Sequence, residues 1–299
     1  MVGVSVGALS RATGRGSGSV VGGHAVLAID PLALERLSAG RQVALVSGTN
    51  GKTTTTKLFS SALGASREGG ERQIVTNLLG ANLPTGLAAA LAAGHPGAPA
   101  VLEVDEAWLA RVCTRTRPKV LVLLNLSRDQ LDRNNEVRQV AQRWRDACGQ
   151  AGPGSVVVAN ADDPLVVWAA SAAPHVTWVG AGLRWNHDAA GCPQCGGPVQ
   201  FGPAPVRADA DGPALVLSPQ RRDEAGWCCA ACGFSRPGPD VWLGPETADE
   251  ARVLFASGQR FSLRLGLPGR CNQGNAAMAL AGAVAMGADI GSAIAAMGS

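Results

Sequence analysis

The chain has 299 residues, 46% of them hydrophobic, which is enough to bury the core of one large domain or two smaller ones. Its 26 basic and 23 acidic residues give a formal net charge of +3, too even to indicate a nucleic-acid surface or an anionic membrane patch. The longest apolar run, residues 276–288, is shorter than the roughly 20 residues that a membrane helix needs. No basic segment precedes the first apolar run, so we expect a cytosolic globular protein.

The N-terminal region contains five glycines between positions 14 and 23, among Ser and Arg. This composition predicts a loop after a short helical start. We therefore expect the globular core to begin near Ala25.

Residues 43–56, with the sequence V-A-L-V-S-G-T-N-G-K-T-T-T-T, predict a nucleotide triphosphate site. Gly48 and Gly51 let backbone N–H groups approach phosphate oxygens, Lys52 brings a positive charge to the β and γ phosphates, and Thr53 offers a hydroxyl to Mg²⁺. Val46 replaces the first glycine of the common G-x-x-x-x-G-K-[ST] motif, so this is a variant loop. A plain strand-to-helix turn is the alternative. The residues expected to bind the nucleotide here are Gly48, Thr49, Asn50, Gly51, Lys52, Thr53 and Thr54.

Apolar runs alternate with helical patterns along the first 180 residues. The runs are 43–47, 100–104, 120–124, 156–159 and 175–179. This alternation predicts an α/β fold with a parallel sheet, whose ligands bind at the carboxyl ends of the strands. Because those ends meet at one edge of the sheet, one cleft can gather the polar residues that follow the runs.

Two acidic or amide clusters follow these runs. Glu103 and Asp105 end the second run on one face of a strand, where a carboxylate can join Thr53 on Mg²⁺; the alternative is a solvated acidic strand end. The segment 160–164, N-A-D-D-P, can hold a ribose or cap a helix. The histidines have no context typical of a catalytic base; they are His24, His95, His175 and His187.

Residues 187–240 differ in composition, being rich in Cys, Pro, Gly and Asp, and predict an inserted zinc ribbon. Its strand-like pieces, 198–201 and 214–217, are too small to fold on hydrophobic burial alone. Two C-x-x-C-G motifs supply the ligands of a closed, structural zinc site: Cys192, Cys195, Cys229 and Cys232.

Other readings of the cysteines remain open at this point. Cys228 is an alternative ligand, although Cys229 has the x-x spacing to Cys232 and is favoured. Disulfides are a competing explanation of the two motifs. The remaining cysteines, Cys113, Cys148 and Cys271, have no catalytic or resolving partner in the sequence and are interpreted as plain thiols.

Over nearly its whole length the chain resembles the central domain of the Mur ligase family. The motifs that carry the resemblance are G-T-N-G-K-T-T-T-T at 48–56, T-N-L-L-G-A-N at 76–82, N-L-S-R-D-Q-L-D-R at 125–133, N-A-D-D-P at 160–164 and L-P-G-R-C-N-Q-G-N at 267–275. The resemblance implies one ATP-binding domain over 1–299 that contains the ribbon. The four cysteines narrow the resemblance to one branch of the family. This branch forms the ATP-using subunit of lipid II isoglutaminyl synthase, whose partner is a GatD-type glutaminase.

The resemblance implies ATP-dependent amidation in peptidoglycan biosynthesis. ATP phosphorylates the α-carboxylate of D-glutamate in lipid II, and ammonia displaces phosphate to leave D-isoglutamine. Lys52 and Glu103 are the expected catalytic residues, Thr53 and Glu103 hold Mg²⁺, and Asn272 and Asn275 hold the adenine. The alternatives are a Mur or folylpolyglutamate-type ligase that adds an amino acid, and a zinc-ribbon protein that uses ATP as a switch on nucleic acid.

Two departures from the family pattern matter. Amino-acid-adding Mur ligases commonly use a carbamylated lysine in a later segment, and this sequence has no lysine after Lys119. The family has a further C-terminal domain that closes over the nucleotide and, in the lipid II isoglutaminyl synthase branch, supplies an Asp to the glutaminase triad; we expect this domain beyond Ser299. For residues 1–299 alone we expect ATP binding but poor amidation. The sequence assigns no role to Asp105, Gln130 or Asp162, and it places the protein at the membrane only through its lipid-linked substrate.

Overall fold

A computed structural model describes residues 18–65, 74–77, 81–127, 134–182, 189–203, 225–244 and 251–298. The helices are α1 (Gly18–Ile29), α2 (Ala33–Ser38), α3 (Lys52–Ala65), α4 (Pro84–Ala93), α5 (Leu109–Thr116), α6 (Asn134–Gly149), α7 (Pro164–Ala170), α8 (Arg270–Ala285) and α9 (Ile290–Met297). The strands are β1 (Val43–Ser47), β2 (Ala100–Glu103), β3 (Val120–Leu123), β4 (Val156–Asn160), β5 (Val176–Gly180), β6 (Val199–Pro203), β7 (Ala225–Cys229), β8 (Val241–Leu243), β9 (Ala251–Phe255) and β10 (Arg260–Leu263). In these ranges no helix has the length and apolarity to cross a membrane.

Eight strands form one sheet in the order β10-β9-β8-β5-β4-β3-β1-β2. The six strands from β2 to β8 in this order run parallel, and β9 and β10 add an antiparallel edge. The prediction of an α/β fold with a mostly parallel sheet is therefore confirmed. Because β1 lies between β2 and β3, the loops that follow these three strands open into one crevice, the position where such sheets bind ligands.

Helices cover both faces of the sheet, and β1 contributes side chains to both. Ala44 and Val46 belong to the core under α3, α8 and α9, whereas Val43 and Leu45 belong to the core under α4 to α7. All five residues of β1 are buried. Burial on two faces explains why the strands read as continuous apolar runs rather than as alternating patterns.

The strand predictions hold for the five runs of the main sheet, each within one or two residues at its ends. In the insert, the predicted piece 198–201 corresponds to β6. The predicted piece 214–217 and His187 lie outside the described residues, as does Gln130 earlier in the chain. The partner of β6 is β7, with the sequence A-G-W-C-C, which sequence reasoning did not identify as a strand. Its buried side chains are a Trp and a Cys, Trp227 and Cys229, rather than repeated aliphatic residues.

The predicted glycine loop near the N-terminus is wrong over residues 18–23, because these residues belong to α1. Val26 and Leu27 of the same helix pack against the core, close to the start expected near Ala25. A Cβ atom on Gly23 would overlap the carbonyl oxygen of Thr85 in α4. This glycine lets two helices approach closely, so its role is packing rather than helix termination.

Glycine also lets α8 lie close to the sheet. A Cβ atom on Gly274 would overlap the carbonyl oxygen of Ala181, just after β5, and one on Gly282 would lie 2.7 Å from Cε1 of the buried Phe59. The first of these contacts holds the beginning of α8, which carries Asn272 and Asn275, at the carboxyl edge of the sheet.

We expect Gly274→Ala to lower the free energy of unfolding by about 1–2 kcal/mol. Overpacking against a backbone carbonyl costs about 1–3 kcal/mol, and the gain in helix propensity returns at most about 1 kcal/mol. Urea denaturation followed by Trp fluorescence measures the change. Gly154→Ala is the control, since nothing lies within 4 Å of its added methyl group. Equal stability of the two variants would contradict the contact.

Candidate active site

The loop between β1 and α3, residues 48–51, is called here the phosphate loop. Gly51 has φ +85°, a left-handed conformation that favours glycine, and a Cβ atom there would overlap Oδ1 of Asn275. At Gly48, with φ +155°, a Cβ atom would lie 2.8 Å from Cβ of Leu124. Both glycines are therefore required by the packing of the loop. The first N–H groups of α3 have no partner within the helix and are available to a phosphate.

The segment after β3 holds the phosphate loop from one side. Thr49 N donates to Asn125 O (2.9 Å) and Asn50 N donates to Asn125 Oδ1 (2.9 Å), while Asn125 Nδ2 donates to Asn50 O (3.0 Å). Thr49 Oγ1 donates to Ser127 O (3.2 Å) and accepts from Ser127 N (3.0 Å). The N–H groups of Thr49 and Asn50 thus hold the phosphate loop against the segment after β3.

Lys52 lies folded over its own loop. Its Nζ donates to Gly48 O, to Thr49 O (3.1 Å) and to Glu106 Oε2 (3.0 Å), so all three of its N–H donors are used. The Lys52 and Glu106 side chains are 13% and 24% exposed. Trp144 Nε1 donates to Glu106 O (2.9 Å) and fixes the backbone of the acidic residue. In this state Lys52 must leave Glu106 to reach a phosphate.

We expect Glu106→Gln to tighten ATP binding about fivefold. The substitution removes a partly exposed ion pair of Lys52, worth up to about 1 kcal/mol, and a negative charge beside the phosphates. Isothermal titration calorimetry with ATP and Mg²⁺ measures the change. Glu35→Gln, on the exposed side of α2, is the control and should bind ATP as the wild type does. Weaker binding by Glu106→Gln would show that the carboxylate supports the nucleotide instead.

Thr53 and Glu103 meet beneath the phosphate loop, as the sequence predicted. Thr53 Oγ1 donates to Glu103 Oε2 at 2.8 Å, and Glu103 is 4% exposed. Two ligands at neighbouring corners of an octahedral Mg²⁺ shell, each 2.0–2.1 Å from the ion, lie about 2.9 Å apart. A hydroxyl and a carboxylate oxygen at this separation fit one Mg²⁺ ion, once the hydroxyl hydrogen turns away.

Two asparagines that sequence reasoning did not assign to the site position Glu103. Asn77 pairs with its backbone, accepting from Glu103 N (2.8 Å) and donating to Glu103 O (2.8 Å). Asn82 Nδ2 donates to Glu103 Oε1 (3.4 Å). Their only signal in the sequence was their place in the T-N-L-L-G-A-N motif. Asn77 thus holds the backbone of Glu103, and Asn82 orients its buried carboxyl group.

Asp105 does not share the position of Glu103. Its Oδ1 accepts from Ala107 N (3.0 Å), so its side chain stabilises the turn before α5. The predicted alternation does not reach Asp105 because β2 ends at Glu103.

The N-A-D-D-P segment, residues 160–164, forms hydrogen bonds with the segment after β3. That segment in turn holds the phosphate loop. Asn160 Nδ2 donates to Leu124 O (2.8 Å), and Asp163 Oδ2 accepts from Leu126 N (2.8 Å). Asp163 also caps α7, accepting from Leu165 N (2.9 Å), so the cap interpretation holds for this residue. Burial raises the pKa of Asp163 to about 6, although these backbone N–H donors act in the opposite direction.

Asn272 and Asn275, expected to hold adenine, stand three residues apart at the start of α8 and share one side of the helix. Asn275 lies against Gly51 of the phosphate loop, and Asn272 Nδ2 donates to Pro268 O (2.9 Å). Asn275 is therefore at the phosphate loop, and Asn272 lies one turn earlier on the same helix. Their contact with adenine remains a prediction.

The structure brings the four cysteines of the insert together, with all four Sγ atoms within 4.8 Å of one another. Cys192 Sγ lies 3.7 Å from Cys232 Sγ, and Cys195 Sγ lies 3.5 Å from Cys229 Sγ. Tetrahedral Zn–S bonds of 2.3 Å place sulfurs about 3.8 Å apart, so the cluster fits Zn²⁺. The four thiols are free of disulfide bonds.

Both C-x-x-C-G turns have the same local geometry. Gly196, with φ +79°, donates its N–H to Cys192 O (2.9 Å), and Gly233, with φ +74°, donates to Cys229 O (3.0 Å). The left-handed conformation explains the glycine after each second cysteine. Cys228 precedes this turn and is not in the cluster, so the geometry selects Cys229.

We expect Cys229→Ser to lose the zinc ion and Cys228→Ser to keep about one zinc per chain, because only the first substitution removes a tetrahedral ligand. Atomic absorption on gel-filtered protein measures the metal content. Cys228→Ser is the control for any general effect of a substitution in β7. Full zinc content in Cys229→Ser would contradict the assignment of this ligand.

Comparison with known proteins agrees with this geometry. The Mur ligase middle domain model matches residues 46–189. The subunit MurT of lipid II isoglutaminyl synthase (glutamine-hydrolyzing) from Streptococcus pneumoniae strain R6 is 30% identical over 288 residues, which cover 92% of this chain and 59% of that protein. The chain thus spans about three fifths of the length of this relative.

Solved structures show the same fold. MurF from Acinetobacter baumannii has a TM-score of 0.61 and 16% identity, over 91% of this chain and 49% of that one. MurF ligase from Thermotoga maritima, solved in complex with ADP, has a TM-score of 0.59 and 17% identity, over 89% of this chain and 52% of that one. At these identities the likeness concerns the fold alone.

Proposed function

We propose that the chain, which matches the Mur ligase middle domain over residues 46–189 and is similar to a MurT subunit, is the ATP-using part of a MurT-type subunit of lipid II isoglutaminyl synthase. The observation that carries this proposal is the contact of Thr53 with the buried Glu103 beneath the phosphate loop, a geometry suited to a Mg²⁺-nucleotide. The four-cysteine cluster and the MurT relative support this branch of the family over the amino-acid-adding ligases.

The proposed reaction activates a carboxylate by phosphorylation. The α-carboxylate oxygen of D-glutamate in lipid II attacks the γ-phosphorus of ATP, and the bond to the β,γ-bridging oxygen breaks with release of ADP. Ammonia then attacks the carbonyl carbon, the C–O bond to phosphate breaks, and a proton leaves the nitrogen. The products are D-isoglutamine, ADP and phosphate, and no side chain of the protein is needed as a nucleophile.

The chain's own residues supply positioning and charge. The first N–H groups of α3 bind phosphate oxygens, and Lys52, released from Glu106, stabilises the negative charge of the transferred phosphoryl group. Thr53 and Glu103 would hold Mg²⁺, which when bound neutralises charge on the β and γ phosphates. The proposed role of Asn272 and Asn275 is to hold the adenine.

We propose a GatD-type glutaminase as the source of ammonia, in line with the glutamine hydrolysis in the name of the S. pneumoniae relative. Lipid II, rather than an anchor formed by the described helices, would bring the complex to the inner face of the membrane. Zn²⁺ in the four-cysteine cluster has a structural role in this proposal, because all four coordination positions are filled by cysteine.

Mass spectrometry of lipid II tests the proposal. The protein, joined to the C-terminal region of its relatives and to a GatD-type partner, is incubated with ATP, Mg²⁺ and glutamine or an ammonium salt. We expect conversion of one stem carboxyl to an amide, which Lys52→Ala abolishes. Lys57→Ala, on the exposed side of the same helix, should retain the activity.

Other outcomes of the same assay are informative. A product heavier by an amino-acid residue would establish an amino-acid ligase instead. Unchanged lipid II in the complete complex, or full activity of Lys52→Ala, would contradict the proposed function.

A further inference from the structure

The zinc ribbon, comprising β6, β7 and the two C-x-x-C-G turns, is seated on the loop that follows β4. The ring of Trp227 in β7 is 3% exposed, and its Nε1 donates to Ala161 O (3.0 Å). The same ring lies with its centroid 5.2 Å from that of Phe234, and it shares a buried cluster with Val167 of α7 and the ligand Cys192. The metal site and the N-A-D-D-P segment are therefore parts of one packed unit.

A buried ion pair joins the same two regions. Arg236 Nε and Nη2 both donate to Asp162 Oδ1, at 2.9 and 2.7 Å. The Arg236 and Asp162 side chains are 10% and 7% exposed. The backbone of Arg236 is tied to the ribbon, because its N–H donates to Trp227 O (3.0 Å), and Asp162 N donates to Asn160 Oδ1 (3.0 Å). This arrangement fixes both ends of the pair.

From Asp162 the hydrogen bonds continue to the phosphate loop. The neighbours of Asp162 hold the segment after β3 at two points, through Asn160 to Leu124 O and through Asp163 to Leu126 N, both at 2.8 Å. Between these points lies Asn125, which binds the backbone of the phosphate loop through three hydrogen bonds. Each step is a direct contact, so the ribbon and the nucleotide loop are connected by a continuous chain of bonded groups.

We propose that the Arg236–Asp162 ion pair makes the zinc ribbon a support of the ATP site. The pair positions the segment after β4, which fixes the segment after β3 and through Asn125 the phosphate loop. It does not touch the nucleotide. This inference rests on the proposed function, because it assumes that the phosphate loop binds ATP, and it assigns a role to Asp162 that the sequence left open.

The test is ATP affinity in Arg236→Gln, measured by equilibrium dialysis with radiolabelled ATP and Mg²⁺ and accompanied by zinc analysis. We expect about one zinc per chain, since no ligand is altered, and a dissociation constant for ATP that rises five- to tenfold. Hydrogen exchange should increase in residues 48–51 and 124–127. Arg252→Gln, on the exposed side of β9, is the matched control and should leave all three measurements unchanged.

Conservative variants separate positioning from general stability. Arg236→Lys keeps the charge but not the two-nitrogen contact and should give an intermediate ATP affinity. If Arg236→Gln does not fold, Asp162→Asn, which has nearly the same shape, carries the test.

Wild-type affinity in folded Arg236→Gln or Asp162→Asn would overturn the inference. Loss of zinc from Arg236→Gln would also overturn it, because the pair would then act on the metal site. Failure of the wild type to bind ATP would instead refute the proposed function.

Discussion

The phosphate loop is the constraint on which the rest of the structure depends. The loop lies between β1 and α3, outside the sheet, so groups other than a neighbouring strand must hold its backbone. Asn125 does so through hydrogen bonds to Thr49 and Asn50, and Asn275 packs against Gly51. The parallel sheet makes this possible, because it brings the ends of β1 and β3 to the same edge.

Charge at the site is divided between two carboxylates of one short segment. Glu103 is buried, held by neutral asparagines and in contact with the Thr53 hydroxyl, which suits a cation. Glu106, three residues later, is partly exposed and pairs with Lys52. A ligand of a cation must keep its charge in a fixed place, whereas the partner of a mobile lysine must be able to release the lysine. Burial and hydrogen bonding thus distinguish the two glutamates, in line with the different roles proposed for them.

The sequence predicted the features that are encoded locally. The phosphate loop, the buried strands and the cysteine motifs are short patterns with a direct physical meaning, and the structure brings Thr53 to Glu103 and the four cysteines together as these patterns suggested. The sequence did not predict the pairing of Lys52 with Glu106, which are 54 residues apart, or that of Arg236 with Asp162, which are 74 apart. Such pairs depend on how the elements pack, and their residue types are equally typical of a solvated surface. The helix at residues 18–23 was missed for a related reason, since Gly23 is explained by its contact with Thr85 and not by its neighbours in the chain.

The Mg²⁺ dependence of ATP binding tests most directly whether Thr53 and Glu103 form the nucleotide site with the phosphate loop. Calorimetric titrations of the wild type and of Glu103→Gln with ATP, each in Mg²⁺ and in EDTA, make the comparison. We expect Mg²⁺ to strengthen ATP binding to the wild type, and we expect Glu103→Gln to lose most of this dependence while it still binds the phosphates through the loop. Equal affinity of the wild type in Mg²⁺ and in EDTA, or an unchanged Mg²⁺ dependence in Glu103→Gln, would contradict the account.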